Sequence, residues 1–272
     1  MKVIAVTMLC IQLVTCSRIL ALFPHVGKSH YDVFHPYLKK LASRGHEVVV
    51  VSHFPQENPL PNITDISIKG SVPMASMQAI SFKEVESLGS ILNAVILSYL
   101  ADLHCKSILS LSKVQQLVNQ RFDLIITELF NTDCFLGLVH ILKTPFIYFS
   151  SSVLMPWAND RIGNPDNPSY IANIFQSHSD KMSFLERLSN TIDTVVDKWI
   201  VYPLLFDLPG RSIVEKHLGA PMPSLCDIAR RGSLILVNSH FSLSKARPLV
   251  PAVVEVGGIH IDAPPKKLPK VV

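Results

Sequence analysis

Two apolar runs flanking an amphipathic segment, all within about 35 residues, constrain the fold of this chain more than any other feature. Ile19-Leu20-Ala21-Leu22-Phe23, closed by Pro24, reads as a strand buried on both faces. From His30 to Ser43, Val33, Phe34, Tyr37, Leu38 and Leu41 recur at helical spacing. Ser29 is the expected N-cap, and Gly45 the expected stop. Lys39, Lys40 and Arg44 gather near the C-terminal end, where cations suit the helix dipole. Glu47 to Ser52 is then a β-branched run and a second buried strand. Strand, helix and strand in this order form a βαβ unit, which commits the sheet to parallel pairing.

The pattern repeats along the chain. Asp65 to Lys69 reads as a shorter strand and Ser87 to Asn119 as a long helix. Leu124 to Ile126 is a strand, Phe135 to Leu142 a helix and Pro145 to Phe149 a strand. Residues 151–170, rich in Pro, Ser, Asn and Asp, read as an extended loop, and Met182 to Val201 as a helix. Leu234 to Val237 and Val253 to Val256 are the last strands, and Pro264, Pro265 and Pro269 mark a linker-like tail. The expectation is a doubly wound α/β domain with a Rossmann-like parallel sheet. Ligands of such sheets bind outside the C-terminal ends of the strands. That directs attention to Pro24–His30, Ser52–Pro55, Thr127–Cys134, Ser150–Pro156 and Asn238–Ser242.

Composition narrows the class. Apolar residues make up 48% and charged residues 17%, enough for a sizeable core. The formal charge of +4 comes with no long Lys/Arg run, so no nucleic-acid partner is expected. Residues 1–17 read as a secretory signal peptide: a positive start at Met1-Lys2, an apolar run from Val3 to Val14, and small residues at Thr15 to Ser17. Asn62-Ile63-Thr64 is a glycosylation sequon beside Pro59 and Pro61, which supports a lumenal location in the secretory pathway. Beyond the signal, Cys105, Cys134 and Cys226 are widely spaced and imply neither a disulfide framework nor a metal pair. Trp199 to Leu208 is strongly apolar but too short to span a bilayer; it reads as core or as a segment touching a bilayer surface. The loop Phe23 to His30 has neither a dinucleotide fingerprint nor a complete phosphate loop, because Leu22 stands where the first Gly of the latter belongs. No metal-ligand cluster is legible, and no metal is expected.

Several segments carry a family resemblance. They are the loop ending in Ser29-His30 and the run Leu41-Ala42-Ser43-Arg44-Gly45-His46-Glu47-Val48-Val49-Val50-Val51-Ser52. Phe130-Asn131-Thr132-Asp133-Cys134 and Asp180-Lys181-Met182-Ser183-Phe184-Leu185-Glu186-Arg187 follow. The last block is Leu236-Val237-Asn238-Ser239-His240, then Arg247-Pro248-Leu249-Val250-Pro251 and Val254-Glu255-Val256-Gly257-Gly258-Ile259-His260. Together they resemble the N-terminal half of the lipophile-conjugating UDP-glycosyltransferases of animals, the insect branch above all. The resemblance implies a GT-B architecture, in which an N-terminal domain binds the acceptor and a C-terminal domain binds the UDP-sugar. On that reading residues 18–262 are the acceptor domain and 263–272 the start of the linker, with the UDP-sugar domain and the C-terminal membrane helix absent. The implied reaction is inverting, metal-independent hexosyl transfer from a UDP-sugar co-substrate to a hydroxyl of a small lipophilic acceptor. No other cofactor is implied. The chain would act in the endoplasmic reticulum lumen, as a secreted or peripheral protein, and would be inactive alone. The alternative is a lipophile-binding or regulatory partner that pairs with full-length family members.

Such a reaction needs a base beside the acceptor hydroxyl, and an imidazole with a pKa near ~6.5 can take that proton. His30, between the first strand and its helix, faces the ligand crevice, and the resemblance makes it the base. His25 lies in the same loop without a matching role. A carboxylate should orient the base. Alignment on the strand offers Glu128; alignment on residue type offers Asp133, the type the family uses, and is favoured. Met182, Phe184, Leu188 and Trp199, with Phe206, are candidates for the apolar wall of the acceptor pocket.

Overall fold

A computed structural model describes residues 16–72 and 89–261. Seven strands form one sheet: β1 (Arg18–Phe23), β2 (Glu47–Ser52), β3 (Ile63–Ser67), β4 (Leu124–Glu128), β5 (Phe146–Ser150), β6 (Ile235–Val237) and β7 (Val253–Glu255). All pairings are parallel, in the order β3-β2-β1-β4-β5-β6-β7. β1 is central, with Leu20 opposite Val49 of β2 on one side and Ile125 of β4 on the other. The chain runs outward from β1 to β3, then returns to β4 and runs outward the other way. This reversal opens a crevice between the C-terminal ends of β1 and β4, the switch point at which α/β sheets bind ligands.

Parallel strands need crossovers, and the crossovers cover both faces. Ile19, Ala21, Phe23, Val48, Val50 and Ile126 pack under α1 (Lys28–Ser43). Their alternates Leu20, Leu22, Val49, Val51 and Ile125 belong to the second core. That core is closed by α2 (Gly89–Leu109), α3 (Leu136–Leu142), α5 (Leu208–Leu218) and α6 (Leu225–Ala229), with α4 (Phe184–Val196) running into α5 through a π-helical stretch, Asp197–Asp207. Because β1 and β2 feed both cores, these strands read as unbroken apolar runs between their polar ends.

The elements depart from expectation in four places. α1 begins at Lys28, with Gly27 at the N-cap in place of Ser29. The long helix stops at Leu109, where an extended Leu111 turns the chain so that Val114 and Leu117 re-enter the core in two short turns. β3 lies two residues earlier than expected. The helix expected to end at Val201 continues to Leu218, begun by a reciprocal Ser183/Glu186 capping box and widened around Pro203, which has no N–H to give to the ladder. α2 is long and apolar enough to cross a bilayer; Ala101, Cys105, Ile108 and Leu109 pack one side of it against this domain, while Ile91, Leu92, Val95 and Tyr99 are exposed. Of the expected signal segment (residues 1–17) all but the last two residues, and the whole of the expected linker (residues 263–272), lie outside the described residues.

Two buried links fasten the β4 side of the crevice. Cys105 of α2 and Cys134, in the turn Asp133–Phe135, form a disulfide with Cα atoms 6.1 Å apart. This corrects the reading of three unpaired cysteines: the fold, not the spacing, brings the helix onto the turn. Beside it, Arg161 makes a bidentate ion pair with Asp133, one arm at 3.0 Å, and Tyr202 donates its hydroxyl to the same carboxylate. Burial alone would lower the Arg161 pKa, but Asp133 and the two tyrosines Tyr202 and Tyr148 raise it well above its usual value. Burial, then Asp133, holds the Tyr202 hydroxyl protonated.

Each link is testable. Alkylation without reduction should tag Cys226, and Cys16 wherever it is retained, and leave Cys105 and Cys134 joined in one peptide pair. A Cys105→Ala/Cys134→Ala variant should lose about 3 kcal/mol of stability in urea titration, and an unchanged midpoint would refute the bond. Asp133→Asn strands the Arg161 charge in the interior and should cost about 3–5 kcal/mol, measured the same way.

Candidate active site

The crevice between β1 and β4 is built from loops that leave the strand ends. Glu128 is the last residue of β4, one position beyond the Leu22–Thr127 pair, with its backbone opposite Phe149 of β5. His30 stands in the first turn of α1. Its Nδ1 lies 2.6 Å from Glu128 Oε1. The glutamate side chain is 1% exposed and the imidazole 20% exposed. A carboxylate only accepts, so Nδ1 carries the hydrogen, and Nε2, which has no partner among the described residues, presents its lone pair outward.

Geometry therefore selects Glu128 over Asp133 as the partner of His30. Asp133 is committed to Arg161 and Tyr202. The expectation that favoured Asp133 rested on residue type, and its physical failure is that a buried Arg161 needs that carboxylate. Arg161 gave no sign of this in sequence, lying in what read as a plain loop; it ends a short buried turn, Pro156–Arg161.

The rest of the crevice floor is unexpectedly rich in imidazole. His25, from the β1 loop, lies over His30 with ring centroids 4.3 Å apart, and His104 of α2 lies 5.8 Å from His25. Phe130 sets its edge against both His25 and His30. The close approach of His25 requires Gly27, because a Cβ there would stand 2.8 Å from His25 Nε2. His53, in the loop after β2, completes the group and couples electrostatically to His25 and His104. Burial, then the neighbouring imidazoles, holds the His25 pKa well below its usual value. Burial, then His53, lowers His104 to about 4, and burial lowers His53. All three are neutral at pH 7. His53 and His25 fall in loops singled out by the strand pattern; nothing in the sequence pointed to His104, which sits inside a helix.

The expected apolar wall is placed differently. Met182 and Phe206 are buried, Phe206 stacked with Tyr202 and packed on Trp157. Phe184 and Trp199 are each 70% exposed and Leu188 47%, all on the outer side of α4 and the π-helical stretch. The face is inverted, because Asn190, Thr194 and Asp197 are the buried positions. Trp199 instead borders a cleft of about 330 Å³ with Trp157, Arg161, Lys198 and Arg230. A second, open cleft of about 720 Å³ lies between α1 and Ile259-His260. Neither includes His30 or Glu128, whose pairing is a candidate site on its hydrogen-bond geometry alone. No group of His, Cys, Asp and Glu among the described residues is set to hold a metal ion. Asn62 is exposed beside β3, with a left-handed φ of 63°.

Comparison with known proteins identifies the family. UDP-glucosyltransferase 2 of Dactylopius coccus is 34% identical over 91% of this chain and 48% of its own length. The 2-hydroxyacylsphingosine 1-beta-galactosyltransferase of Rattus norvegicus is 26% identical over 93% of this chain and 47% of its own. The chain thus spans about half the length of the curated relatives it matches. Among solved structures, a UDP-glucosyltransferase from Polygonum tinctorium, capable of glucosylating indoxyl, matches 89% of this chain and 52% of its own at 11% identity and a TM-score of 0.42, too loose a likeness to carry residue roles. The family profile for UDP-glucoronosyl and UDP-glucosyl transferase matches residues 20–272, and the chain belongs to that family.

Proposed function

We propose that this chain supplies the acceptor site and the general base of a UDP-sugar-dependent glycosyltransferase. The carrying observation is the His30–Glu128 pair at the switch point, with the outer ring nitrogen free. A lipophilic acceptor hydroxyl docks against Nε2. As its oxygen attacks the anomeric carbon of the UDP-sugar, the bond to the diphosphate breaks, UDP departs, and the hydroxyl proton passes to Nε2. The configuration at the sugar inverts, and no metal takes part. Glu128 holds the ring in the tautomer that can accept and stabilises the cation as it forms. His25 is a poorer base: it is buried, neutral and without a carboxylate.

The UDP-sugar binds mainly to the portion of the relatives that this chain does not span, and that portion sets the choice among glucose, galactose and glucuronate. Transfer depends on holding donor and nucleophile in line, an arrangement worth about 7–11 kcal/mol of the barrier. The protein is further proposed to work in the lumen of the endoplasmic reticulum, in company with like or related chains. The signal-like start, the exposed Asn62 sequon and the Cys105–Cys134 bond support this location.

Two experiments test the proposal. The 272-residue chain, given UDP-glucose or UDP-glucuronate and phenolic or steroid acceptors, should bind acceptor without transfer, and should turn over once the complementary half is supplied. Turnover by the chain alone would overturn the division of labour. In the joined form His30→Ala should lower the rate at least about a thousandfold, and Glu128→Gln by about a hundredfold, with acceptor affinity nearly unchanged. Expressed with microsomes, the chain should acquire one glycosidase-sensitive mass increment that Asn62→Gln removes; a naked protein would remove the lumenal assignment.

A further inference from the structure

The helix that runs from Phe184 through the π-helical stretch to Leu208 is built inside out. Its inner side carries Asn190, Thr194 and Asp197, all buried. Hydrogen bonds hold that side in place. Asn190 donates to the carbonyls of Pro168 at 2.7 Å and Ile171 at 2.9 Å, and accepts from the Asn173 backbone at 2.8 Å. The Asn173 amide donates in turn to Asp197 at 2.7 Å. Farther along, Tyr202 and Phe206 are buried, and Tyr202 donates to Asp133. The outer side carries Phe184, Leu188, Ile192, Val195, Trp199 and Leu204, each between 47% and 70% exposed. They follow one another at helical spacing, widened by one residue across the π-helical stretch, and form one face about 30 Å long. A contiguous apolar face of this size marks a site of contact. The inner hydrogen bonds keep the helix from rolling over to bury it.

We propose that this face seats the domain on a lipid bilayer, with the helix lying in the interface and its outer side chains inserted among the acyl chains. The inference stands on the face itself and does not depend on the acceptor reading above. Two observations favour lipid over a second protein. First, the charged side chains that would rim a protein interface are committed within the chain. Glu186 caps its own helix at Ser183, Arg187 donates to the Met182 carbonyl, and Asp193 accepts from Gln176. Lys198 is held by Asp160 and Asp166, and Asp207 accepts from Ser224 and Leu225. What remains is apolar area without directional contacts at its edge, which suits hydrocarbon and not a protein partner. Second, the π-helical turn around Pro203 interrupts the regular ridges by which helices interlock. Hydrocarbon needs no such register. From Phe184 to Leu208 the sequence holds four carboxylates (Glu186, Asp193, Asp197 and Asp207) and two cations (Arg187 and Lys198), so insertion and not charge attraction would hold the helix down. Trp199, an apolar ring with a polar N–H, is the kind of side chain that settles at a membrane–water boundary. Through Tyr202 the same helix grips the turn that carries Asp133, so the bilayer seat and the β4 wall of the crevice share one rigid support.

The chain has two tryptophans, Trp199 on this face and Trp157 in the core at 4% exposure, so fluorescence reads the contact directly. The test is co-sedimentation of the 272-residue chain with phosphatidylcholine vesicles, paired with tryptophan emission in vesicles whose acyl chains carry bromine. The protein should sediment with the vesicles, and the emission of Trp199 should shift to the blue and be quenched by the brominated chains. Trp199→Phe should remove that quenching with partitioning nearly unchanged. The double variant Leu188→Asp/Ile192→Asp should partition on the order of tenfold more weakly or worse. Residues 1–17 are the same in every variant, so these differences report on the helix face. Raising the salt tenfold should change partitioning by less than about twofold, because no charge attraction is involved. Vesicle-bound protein with Trp199 unquenched, or quenching that persists in Trp199→Phe, would place the contact elsewhere and overturn the proposal. Binding abolished by salt, or no binding at all, would overturn it too. A dimer seen by analytical ultracentrifugation, lost in the double variant and accompanied by no vesicle binding, would assign the face to a second copy instead. Should the double variant not fold, as circular dichroism would reveal, the quenching of Trp199 in the wild-type chain decides the matter.

Discussion

The parallel pairing of β1 with β2 on one side and β4 on the other is the constraint from which the rest of the structure follows. Parallel strands cannot be joined by tight turns, so each connection crosses a face of the sheet as a helix or long loop. Both faces are thereby buried, which is why β1 and β2 are apolar at every interior position. It also sends every connection out of the same end of the sheet. Where the order reverses, between β1 and β4, two connections part in opposite directions, and the space they leave is the one place where groups from separate strands can meet without filling the core. His30 and Glu128 meet there because one begins the helix after β1 and the other ends β4.

That crevice carries an unusual density of buried polar groups, and its surroundings hold them at fixed positions. Glu128 is carried by the sheet itself, so its carboxylate begins from a rigid point. His25 is wedged in by the space that Gly27 leaves free. His104 is held by a helix that is disulfide-bonded to the turn after β4, and that same turn is clamped by the Arg161–Asp133–Tyr202 network. Stability and site are therefore coupled through residues 131–135: the turn that carries Asn131 toward the imidazoles also carries Asp133 and Cys134 into the two buried links.

Much of this was legible in the sequence, and the boundary of legibility is physical. Period and run length disclosed the βαβ order, and with it the strand ends where His30 and Glu128 lie. Contacts between elements distant in sequence were not disclosed. Cys105 and Cys134 looked unpaired because spacing along the chain says nothing of a helix laid over a turn. Asp133 looked like the better partner for His30 because Arg161, 28 residues later, gave no sign of turning inward to claim it. The outer face of α4 was misjudged for a related reason: Phe184, Leu188 and Trp199 have the spacing of a buried stripe, yet Asn190, Thr194 and Asp197 are the residues turned inward. Helical periodicity defines a face without saying which face the core takes.

The four histidines show how environment, not residue type, separates roles within one crevice. His30 alone has both a carboxylate on one nitrogen and open access on the other, the combination a proton acceptor needs. His25, 4.3 Å away, has neither, and burial with three imidazole neighbours drives it neutral. A charged ring at His25 would repel the cation that forms on His30 as the proposed reaction proceeds, so a neutral His25 favours the transfer. The same burial disqualifies His53 and His104 as bases. Glu128 makes the distinction: from the end of β4 its carboxylate reaches the first turn of α1, so one imidazole of the four is held by a carboxylate with its other nitrogen facing outward.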